Sequence, residues 1–365
     1  MLILTVNAGS SSLKLRVLND EDEIVQSADV ATTQAGVERA TIESRIAAWD
    51  GIDAVGHRIV HGGTRFVGPV RVDTSVRATL ETFSDLAPLH QPKSLAALDA
   101  VTALFPGVPA VACFDTAFHA TLPLAASTYA LPAEWRKRWP LRRYGFHGLS
   151  HAYIARRAST LLNVETTALR LVSCHLGAGA SLAAIAHGSS IDTTMGFTPL
   201  QGLVMATRSG DLDPGLLLWL EEHAHMPPGA LADTLEHHSG LLGLSGTADM
   251  AEVLTRMTQG DEAAELAFAV YQHRLRAAIA SMVASMGEID ALVFTGGVGE
   301  HAPIVREKAA AGLGFLGIDV NADLNIAAVP DREIGASDAK VRTLVIEARE
   351  DLQIASEVRQ VLHVA

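Results

Sequence analysis

The sequence of 365 residues predicts an α/β fold built from two related halves. Short apolar runs rich in strand-forming residues alternate with longer segments of helical periodicity. In addition, a strand–turn–strand unit with a turn of small residues occurs near the start of each half. We therefore expect largely parallel sheets and two halves that pack closely across a cleft.

The first strand–turn–strand unit begins the chain. It comprises an apolar run at 2–6, the turn cluster NAGSSS at 7–12 and a returning strand at 13–18. The plain interpretation of the turn is a polar hairpin tip. Functionally, Ser10, Ser12 and Lys14 are suited to holding a phosphate, and Asn7 to orienting a metal-bound water. The segment is not a Walker A loop, because no Lys-Ser/Thr pair follows a second glycine.

The second unit repeats this layout. It comprises an apolar run at 169–175, the turn GAGAS at 177–181 and a returning strand at 182–186. Turns of this kind expose backbone N–H groups, which favours phosphate as a ligand. The other predicted elements are strands at 108–114, 291–295 and 340–346, and helices at 264–286, 303–311 and 351–362.

Composition excludes several classes of protein. Hydrophobic residues make up 48% and charged residues 19%, which argues against disorder. A net charge of −13 makes nucleic acid or an anionic membrane an unfavourable main partner. The two cysteines, Cys113 and Cys174, form neither a disulfide framework nor a zinc site, so we expect a cytoplasmic protein. The N-terminus lacks a signal-peptide pattern, and no apolar run is long enough to span a membrane.

The segment GHRIVHGG at 56–63 contains a candidate anion clamp. His57 and His61 lie four residues apart, as zinc ligands can, but Arg58 stands where a zincin requires Glu. The planar guanidinium of Arg58 suits a carboxylate or a phosphate.

Three further residues lie in positions suited to chemistry. Asp115 follows an apolar strand, and His147 lies in the glycine-flanked segment YGFHG. In α/β sheets such positions carry functional groups, although a lone Asp or His is more often structural. Arg208, in TRSGDLDPG, is a second arginine near a glycine.

The segment GVGEHA at 297–302 fits a dinucleotide-binding motif, with Asp319 about 22 residues further on. However, a Rossmann unit is usually followed by several more βα units, and only about 45 residues remain after Asp319. The two hairpins also have no place in that fold.

Taken together, the motifs resemble those of the acetate kinase family nearly from end to end. They are VNAGSSSLK (6–14), GHRIVHGG (56–63), LAPLH (86–90), FDTAFH (114–119), RRYGFHG (142–148), MGFTPLQGL (195–203), TRSGDLDPG (207–215), the turn at 295–300 and KVR…IEARED (340–351). The family is related to the sugar kinases, Hsp70 and actin. The resemblance implies two RNase H-like domains, each with a duplicated ββαβα-type core, flanking a nucleotide cleft. One domain would comprise 1–119 and 352–365, and the other 120–351.

The resemblance also implies an activity: reversible transfer of the γ-phosphoryl group of ATP to acetate, with Mg²⁺ or Mn²⁺, by a homodimer. It implies these roles: Asn7 and Glu350 near the metal; Asp115, His147 and Arg208 in catalysis; Arg58, Val60, Leu89 and Pro199 at the acceptor; Ser12, Lys14, His175, Leu176, Gly177, Ala178, Gly179, Asp249, Gly297, Val298, Gly299, Glu300 and His301 at the nucleotide. Asp115 is interpreted as an orienter of arginine or of a metal-bound water rather than a proton acceptor.

The chain departs from the family pattern at several places. Ala178, Gln91, His301 and Arg349 stand where the family usually has Asn, and Ala251 where it has Arg. Propionate or another short carboxylate as acceptor, or a donor other than ATP, therefore remain alternatives. More distant ones are an NAD-dependent dehydrogenase and an Hsp70-like ATPase. The latter would need a peptide-binding domain, but the motifs continue almost to the C-terminus.

Overall fold

The computed structural model describes residues 1–9, 12–31, 38–88 and 90–363, and the side chains of these residues up to 362. The chain divides into two compact units. The first comprises Met1–Ala120, Phe146–Tyr153 and Arg349–Ala365, and the second comprises Thr121–Gly145 and Ile154–Ala348.

The elements follow one another in mixed order along the chain. The strands are β1 (Ile3–Ala8), β2 (Ser12–Leu18), β3 (Ile24–Ala31), β4 (Ala54–Ile59), β5 (Val70–Arg71), β6 (Ala110–Phe114), β7 (Arg170–Leu176), β8 (Ala180–Ala186), β9 (Ser189–Thr193), β10 (Ala291–Thr295), β11 (Arg332–Glu333) and β12 (Arg342–Val345). The α-helices are α1 (Arg39–Ile46), α2 (Thr74–Glu81), α3 (Gln91–Leu104), α4 (Leu124–Ser127), α5 (Ala133–Arg138), α6 (Gly148–Leu162), α7 (Pro214–His223), α8 (Pro228–His237), α9 (Gly240–Ser245), α10 (Met250–Thr258), α11 (Glu262–Met286), α12 (Gly296–His301), α13 (Pro303–Ala311), α14 (Ala322–Ile326) and α15 (Glu350–His363). Short 3₁₀ helices lie at Ser84–Leu86, Ala117–Thr121, Thr166–Ala168 and Gly314–Leu316.

Each unit contains one six-stranded sheet, and the two sheets share a plan. The first has the order β3-β2-β1-β4-β6-β5, and the second, in the matching direction, β9-β8-β7-β10-β12-β11. In each sheet three antiparallel strands are followed by two parallel ones and a short antiparallel edge strand. The α/β class and the duplicated architecture are thus confirmed.

The expectation of largely parallel sheets was wrong. Both sheets are mixed, because in each of them the two hairpin strands and the strand that follows form a three-stranded antiparallel half. This arrangement also differs from the mostly parallel sheet of a dinucleotide-binding fold, so the glycine motif at 297–302 lies outside a Rossmann unit.

The two faces of the first sheet bury different sets of side chains. One face, which includes Leu4, Leu13 and Leu15, packs with residues of α1 and α3. The other, which includes Ile3 and Cys113, packs against α15. Contact with α15 is close at Gly56, where a Cβ atom would lie 2.4 Å from Ile354 Cγ2. Side-chain alternation along the strands explains the division.

The long helix of the second unit matches its prediction. Asp261 caps α11 by accepting hydrogen bonds from the amides of Ala263 and Ala264. Gly287 follows the helix with a φ of +78°, a conformation in which glycine is unstrained. The helix packs against β8, all of whose residues are buried. In the described part of the chain, no helix combines the length and apolarity required to cross a membrane.

Candidate active-site residues

Three side chains meet at the ends of neighbouring strands in the first unit. Asn7 lies in β1, Arg58 in β4 and Asp115 directly after β6. The strands are parallel and in register, so their carboxyl ends lie side by side. Arg58 donates from Nε to Asp115 Oδ1 at 2.9 Å, from Nη2 to Asp115 Oδ2 at 2.6 Å and from Nη1 to Asn7 Oδ1 at 3.0 Å. Sequence analysis selected these residues separately, and the structure brings them together.

The pair of Arg58 and Asp115 is largely removed from water. Their side chains are 15% and 2% exposed, respectively. Burial alone would lower the pKa of Arg58, but the charge and hydrogen bonds of Asp115, together with the charge of Glu350, raise it above its usual range. Arg58 is therefore a permanent cation whose orientation is set by a bidentate carboxylate.

Glu350 is the first residue of α15. The helix packs on the sheet face that carries Asn7 and Arg58, and the charge of Glu350 acts on Arg58. Its neighbour Arg349 is held by Asp351, which accepts hydrogen bonds at 3.0 Å from Nε and 2.8 Å from Nη2.

His147 belongs to a tightly constrained segment before α6. Its φ is +57°, in the left-handed region. On one side, the carbonyl of Phe146 lies 3.0 Å from Nε2 of buried His119. On the other, the amide of Gly148 donates to the carbonyl of Asp115 at 2.9 Å. These two contacts fix the backbone on both sides of His147.

The first hairpin places Lys14 directly across from Asn7 in the sheet. Lys14 is exposed and Ser12 is half-buried. The amide of Gly9 donates to the carbonyl of Ser12 at 2.9 Å. Ser10, which the sequence also suggested, lies outside the described residues.

The segment after Arg58 is held by a residue to which sequence reasoning gave no role. Gln91 accepts a hydrogen bond from the amide of His61 and donates to its carbonyl, both at 3.1 Å. Val60, predicted to contact the acceptor, is buried beside this clamp. Leu89, predicted for the same role, lies outside the described residues.

In the second unit, Arg208 is held from two directions. Its Nη1 donates to the carbonyl of Pro199 at 3.2 Å, and its Nε lies 3.2 Å from Glu236 Oε2. Pro199 is buried, and the side chains of Arg208 and Glu236 are only 12% and 15% exposed. Pro199 and Arg208, both predicted site residues, are thus in direct contact.

The second hairpin turn, predicted for the nucleotide, adjoins the Arg208 segment. Its predicted residues are His175, Leu176, Gly177, Ala178 and Gly179. The amide of Gly177 donates to the carbonyl of Gly179, and the carbonyl of Ala178 accepts from the amide of Ala206. Ala178 is exposed at the tip of the turn.

The turn at Gly297, Val298, Gly299, Glu300 and His301 forms α12, next to the hairpin. Gly296 opens it with a φ of +78°, and a Cβ atom there would lie 2.8 Å from the carbonyl oxygen of Leu176. One carboxylate oxygen of Glu300 accepts from the amides of Gly296 and Ala348, at 2.8 and 3.0 Å. Burial outweighs these bonds and raises the pKa of Glu300.

Arg306 supports the same turn from within the protein. It is 1% exposed and donates to the carbonyls of Gly299 and Glu300, at 2.8 Å each. Two further bonds join it to Asn325, and burial lowers its pKa to about 10.

Asp249, predicted to contact the nucleoside, caps α10. Its side chain is exposed and accepts a hydrogen bond from the amide of Ala251 at 3.0 Å.

Glu236 and Arg306 carry no signal in the linear sequence, and Gln91 is marked there only as a residue that differs from the family's usual Asn. Each bonds to a segment far away along the chain, or lies in an ordinary helical pattern, so only the folded chain reveals its partner. As to metals, the described ranges contain no group of three or more His, Cys, Asp or Glu residues arranged to hold an ion.

Comparison with known proteins extends these observations. The model of the acetokinase family matches residues 19–356. The acetate kinase of Rippkaea orientalis is 45% identical, over 97% of this chain and 87% of that protein. The crystal structure of Porphyromonas gingivalis acetate kinase superposes with a TM-score of 0.89 at 34% identity, over 99% of both chains. A propionate kinase from Francisella tularensis gives a TM-score of 0.90 at 32% identity, over 98% of this chain and 99% of that one.

Proposed function

This chain belongs to the acetokinase family, and we propose that it transfers the γ-phosphoryl group of ATP reversibly to acetate. A carboxylate oxygen of acetate forms the new P–O bond, and the bond from the γ-phosphorus to the bridging oxygen breaks, so the products are acetyl phosphate and ADP. The observation that carries this proposal is Arg58, a buried guanidinium aimed by Asp115 and Asn7.

The acceptor requires a cation rather than a base. A small carboxylic acid is already ionised at neutral pH, so no proton has to be removed before it attacks. The main difficulty is that the acceptor carboxylate must approach the negatively charged phosphates. In phosphoryl transfer this repulsion is overcome by positioning the reactants and stabilising their charge. We assign binding of the acceptor carboxylate to Arg58 and orientation of Arg58 to Asp115.

We assign stabilisation of the transferring phosphoryl group to His147 and Arg208. The nucleotide is assigned to Ser12, Lys14, Asp249, the turn at 175–179 and the turn at 297–301. Backbone amides of the two turns are the proposed phosphate donors. Glu300 contributes by holding its turn in place, since its carboxylate is occupied by the amides of Gly296 and Ala348.

The residues present suit Mg²⁺, with Mn²⁺ as a substitute. Mg²⁺ prefers oxygen ligands and is commonly held by one or two carboxylates together with substrate phosphates. Glu350 supplies a carboxylate and Asn7 an amide oxygen, which already orients toward Arg58. When bound, the ion would neutralise charge on the phosphates.

Propionate is the second candidate acceptor, because a propionate kinase is as similar in structure as an acetate kinase. Acetate and propionate differ by one methylene, which is worth about 1–3 kcal/mol in a pocket. Val60 and Pro199, the residues that the resemblance assigns to the acceptor, are each buried and apolar.

The deciding experiment traps acyl phosphate as the hydroxamate. Acetate, propionate and butyrate are each tested with ATP, GTP and pyrophosphate, with and without EDTA. We expect acetyl hydroxamate with ATP, abolished by EDTA and by Arg58→Gln. If no donor yields acyl phosphate with any acceptor, the proposal is wrong.

We also propose that the protein is a homodimer. In support, α7 exposes Leu216, Leu218 and Trp219, a set of large apolar side chains on one short helix. Light scattering coupled to gel filtration is expected to give twice the chain mass of 38.5 kDa. A monomer at micromolar concentration would contradict this.

A cytoplasmic location is proposed on the state of the cysteines. Cys113 and Cys174 are both buried free thiols, which suits a reducing compartment. Cell fractionation tests this assignment.

A further inference from the structure

We propose that Glu236 is a positioning residue that orients Arg208 for phosphoryl transfer. The inference rests on the proposed function, in which Arg208 stabilises the transferring group. Its own basis is the ion pair between the two side chains, with Arg208 Nε 3.2 Å from Glu236 Oε2.

The pair lies in a setting where geometry matters. Both side chains are more than four-fifths buried, so the interaction is only weakly screened by water. The guanidinium is planar, and a partner at Nε together with one at Nη1 determines the direction of the whole plane. The Nη1 partner is the carbonyl of Pro199. Glu236 and Pro199 therefore orient Arg208 jointly.

The backbone around Arg208 is tied to the same end of α8. Thr207 Oγ1 donates to the carbonyl of Glu236 at 2.8 Å, and the amide of Ser209 donates to the carbonyl of Leu235 at 3.1 Å. The residues on both sides of Arg208 are thus anchored where Glu236 lies. The carboxylate of Glu236 contacts the side chain of Arg208. The same end of α8 therefore holds both the backbone and the side chain of this segment.

A close approach next to the pair leaves little freedom for adjustment. Gly240 has a φ of +61°, and a Cβ atom there would lie 2.2 Å from the carbonyl oxygen of Met205 and 2.7 Å from that of Arg208. Met205 in turn presents its sulfur 3.7 Å from Arg208 Nη1. Because the segment is packed this closely, replacing Glu236 changes the side-chain direction of Arg208 more than its backbone.

Glu236 itself makes no bond in the proposed reaction. It acts on catalysis through Arg208 alone, which leads to a specific expectation. Loss of Glu236 should lower kcat, since the guanidinium of Arg208 would no longer be oriented toward the transferring phosphoryl group. The KM values for ATP and acetate should change little, because the proposed roles place neither substrate on Glu236.

The test is a double-mutant cycle on the full-length protein. Glu236→Gln is expected to lower kcat about tenfold to a hundredfold with KM values within about threefold, and Glu236→Asp to restore part of the loss. In an Arg208→Gln background, Glu236→Gln should have no further effect. Glu288→Gln, which breaks the exposed pair with Arg170 in the same unit, is the control and should leave kcat unchanged.

A second readout does not depend on turnover. In ¹⁵N spectra, the Nε–H resonance assigned by its loss in Arg208→Gln should shift or exchange faster with water in Glu236→Gln. If the wild-type protein makes no acyl phosphate but this resonance responds, the proposed function fails and the positioning role stands. An unchanged resonance, or an equal loss of kcat in both backgrounds, overturns the inference.

Discussion

The carbonyl oxygen of Asp115 accepts a hydrogen bond of 2.9 Å from the amide of Gly148. The side chain of Asp115 holds Arg58, so one residue connects the anion clamp to the segment that carries His147. A Cβ atom at position 148 would lie 2.2 Å from that carbonyl oxygen. The approach is therefore open only to glycine.

Gly148→Ala is expected to displace His147 and to destabilise the protein. The added methyl group collides with backbone, which cannot move aside as a flexible side chain does, and the cost is about 1–3 kcal/mol. We expect kcat to fall at least tenfold, because the proposed phosphoryl contact of His147 moves. Gly68→Ala, where a Cβ atom meets nothing within 4 Å, is the control. Equal kcat and equal melting temperature in the two variants would contradict the prediction.

Asp115→Asn is expected to destabilise the protein more than the same substitution in an exposed ion pair. Breaking a buried ion pair on one side costs about 3–5 kcal/mol, since the remaining charge is left unpaired. Arg77 and Asp99 form a similar bidentate pair, at 2.7 and 2.8 Å, but in an exposed position. Asp99→Asn should cost less than about 1 kcal/mol. Urea denaturation measures the free energy of unfolding of both variants. Acyl phosphate formation should fall about a hundredfold in Asp115→Asn only, and full turnover with unchanged Mg²⁺ dependence would refute the assigned role.

Acid is expected to destabilise the protein through His57. This side chain is fully buried, neither ring nitrogen has a hydrogen-bond partner in the described part of the chain, and burial lowers its pKa to about 3 despite the charge of Asp99. The unfolded chain, with a pKa near 6.5, binds the proton more readily, so stability is lost as pH falls from about 6.5 toward 3. Burial lowers the pKa of His61 to about 4, which acts in the same direction.

His57→Leu should make the acid loss shallower, by up to about 1.4 kcal/mol per pH unit, because one neutral buried imidazole is removed. At pH 7.5 we expect little change or a gain in stability. Urea denaturation between pH 7.5 and 4.5 checks both expectations. If the free energy of unfolding falls with pH at the same slope in His57→Leu and in the wild-type protein, His57 does not contribute to the acid destabilisation.

Gly56→Ala is expected to push α15 away from β4. The new methyl group would lie 2.4 Å from Ile354 Cγ2 and 2.7 Å from Val358 Cγ2, at a cost of about 1–3 kcal/mol. The double variant with Ile354→Ala should recover part of the stability, as measured by melting temperature. No recovery would indicate that the strain lies elsewhere.

Glu350→Gln should raise the Mg²⁺ concentration for half-maximal activity at least tenfold, since a carboxylate binds Mg²⁺ far better than an amide. The neighbouring Asp351→Asn, which affects Arg349, is the matched control. Equal Mg²⁺ dependence of Glu350→Gln and the wild-type protein would remove Glu350 from the metal site.

Much of the fold was predictable because its signals are local. The hairpin strands, the helix that ends at Gly287 and the strand before the glycine turn follow from alternation, helical periodicity and turn residues. The share of parallel and antiparallel pairs in each sheet was not predictable, because the periodicity of a strand does not depend on the direction of its neighbour.

The sequence by itself determined which residue types stand at the strand ends: Asn7, Arg58 and Asp115. Only the tertiary structure decided that Arg58 contacts both of the others, that Gln91 clamps His61 and that Glu236 faces Arg208. The physical reason is that such contacts join residues dozens of positions apart, through strand register and helix packing. The sequence determines which residue types occupy these positions, whereas the fold determines how their side chains are oriented.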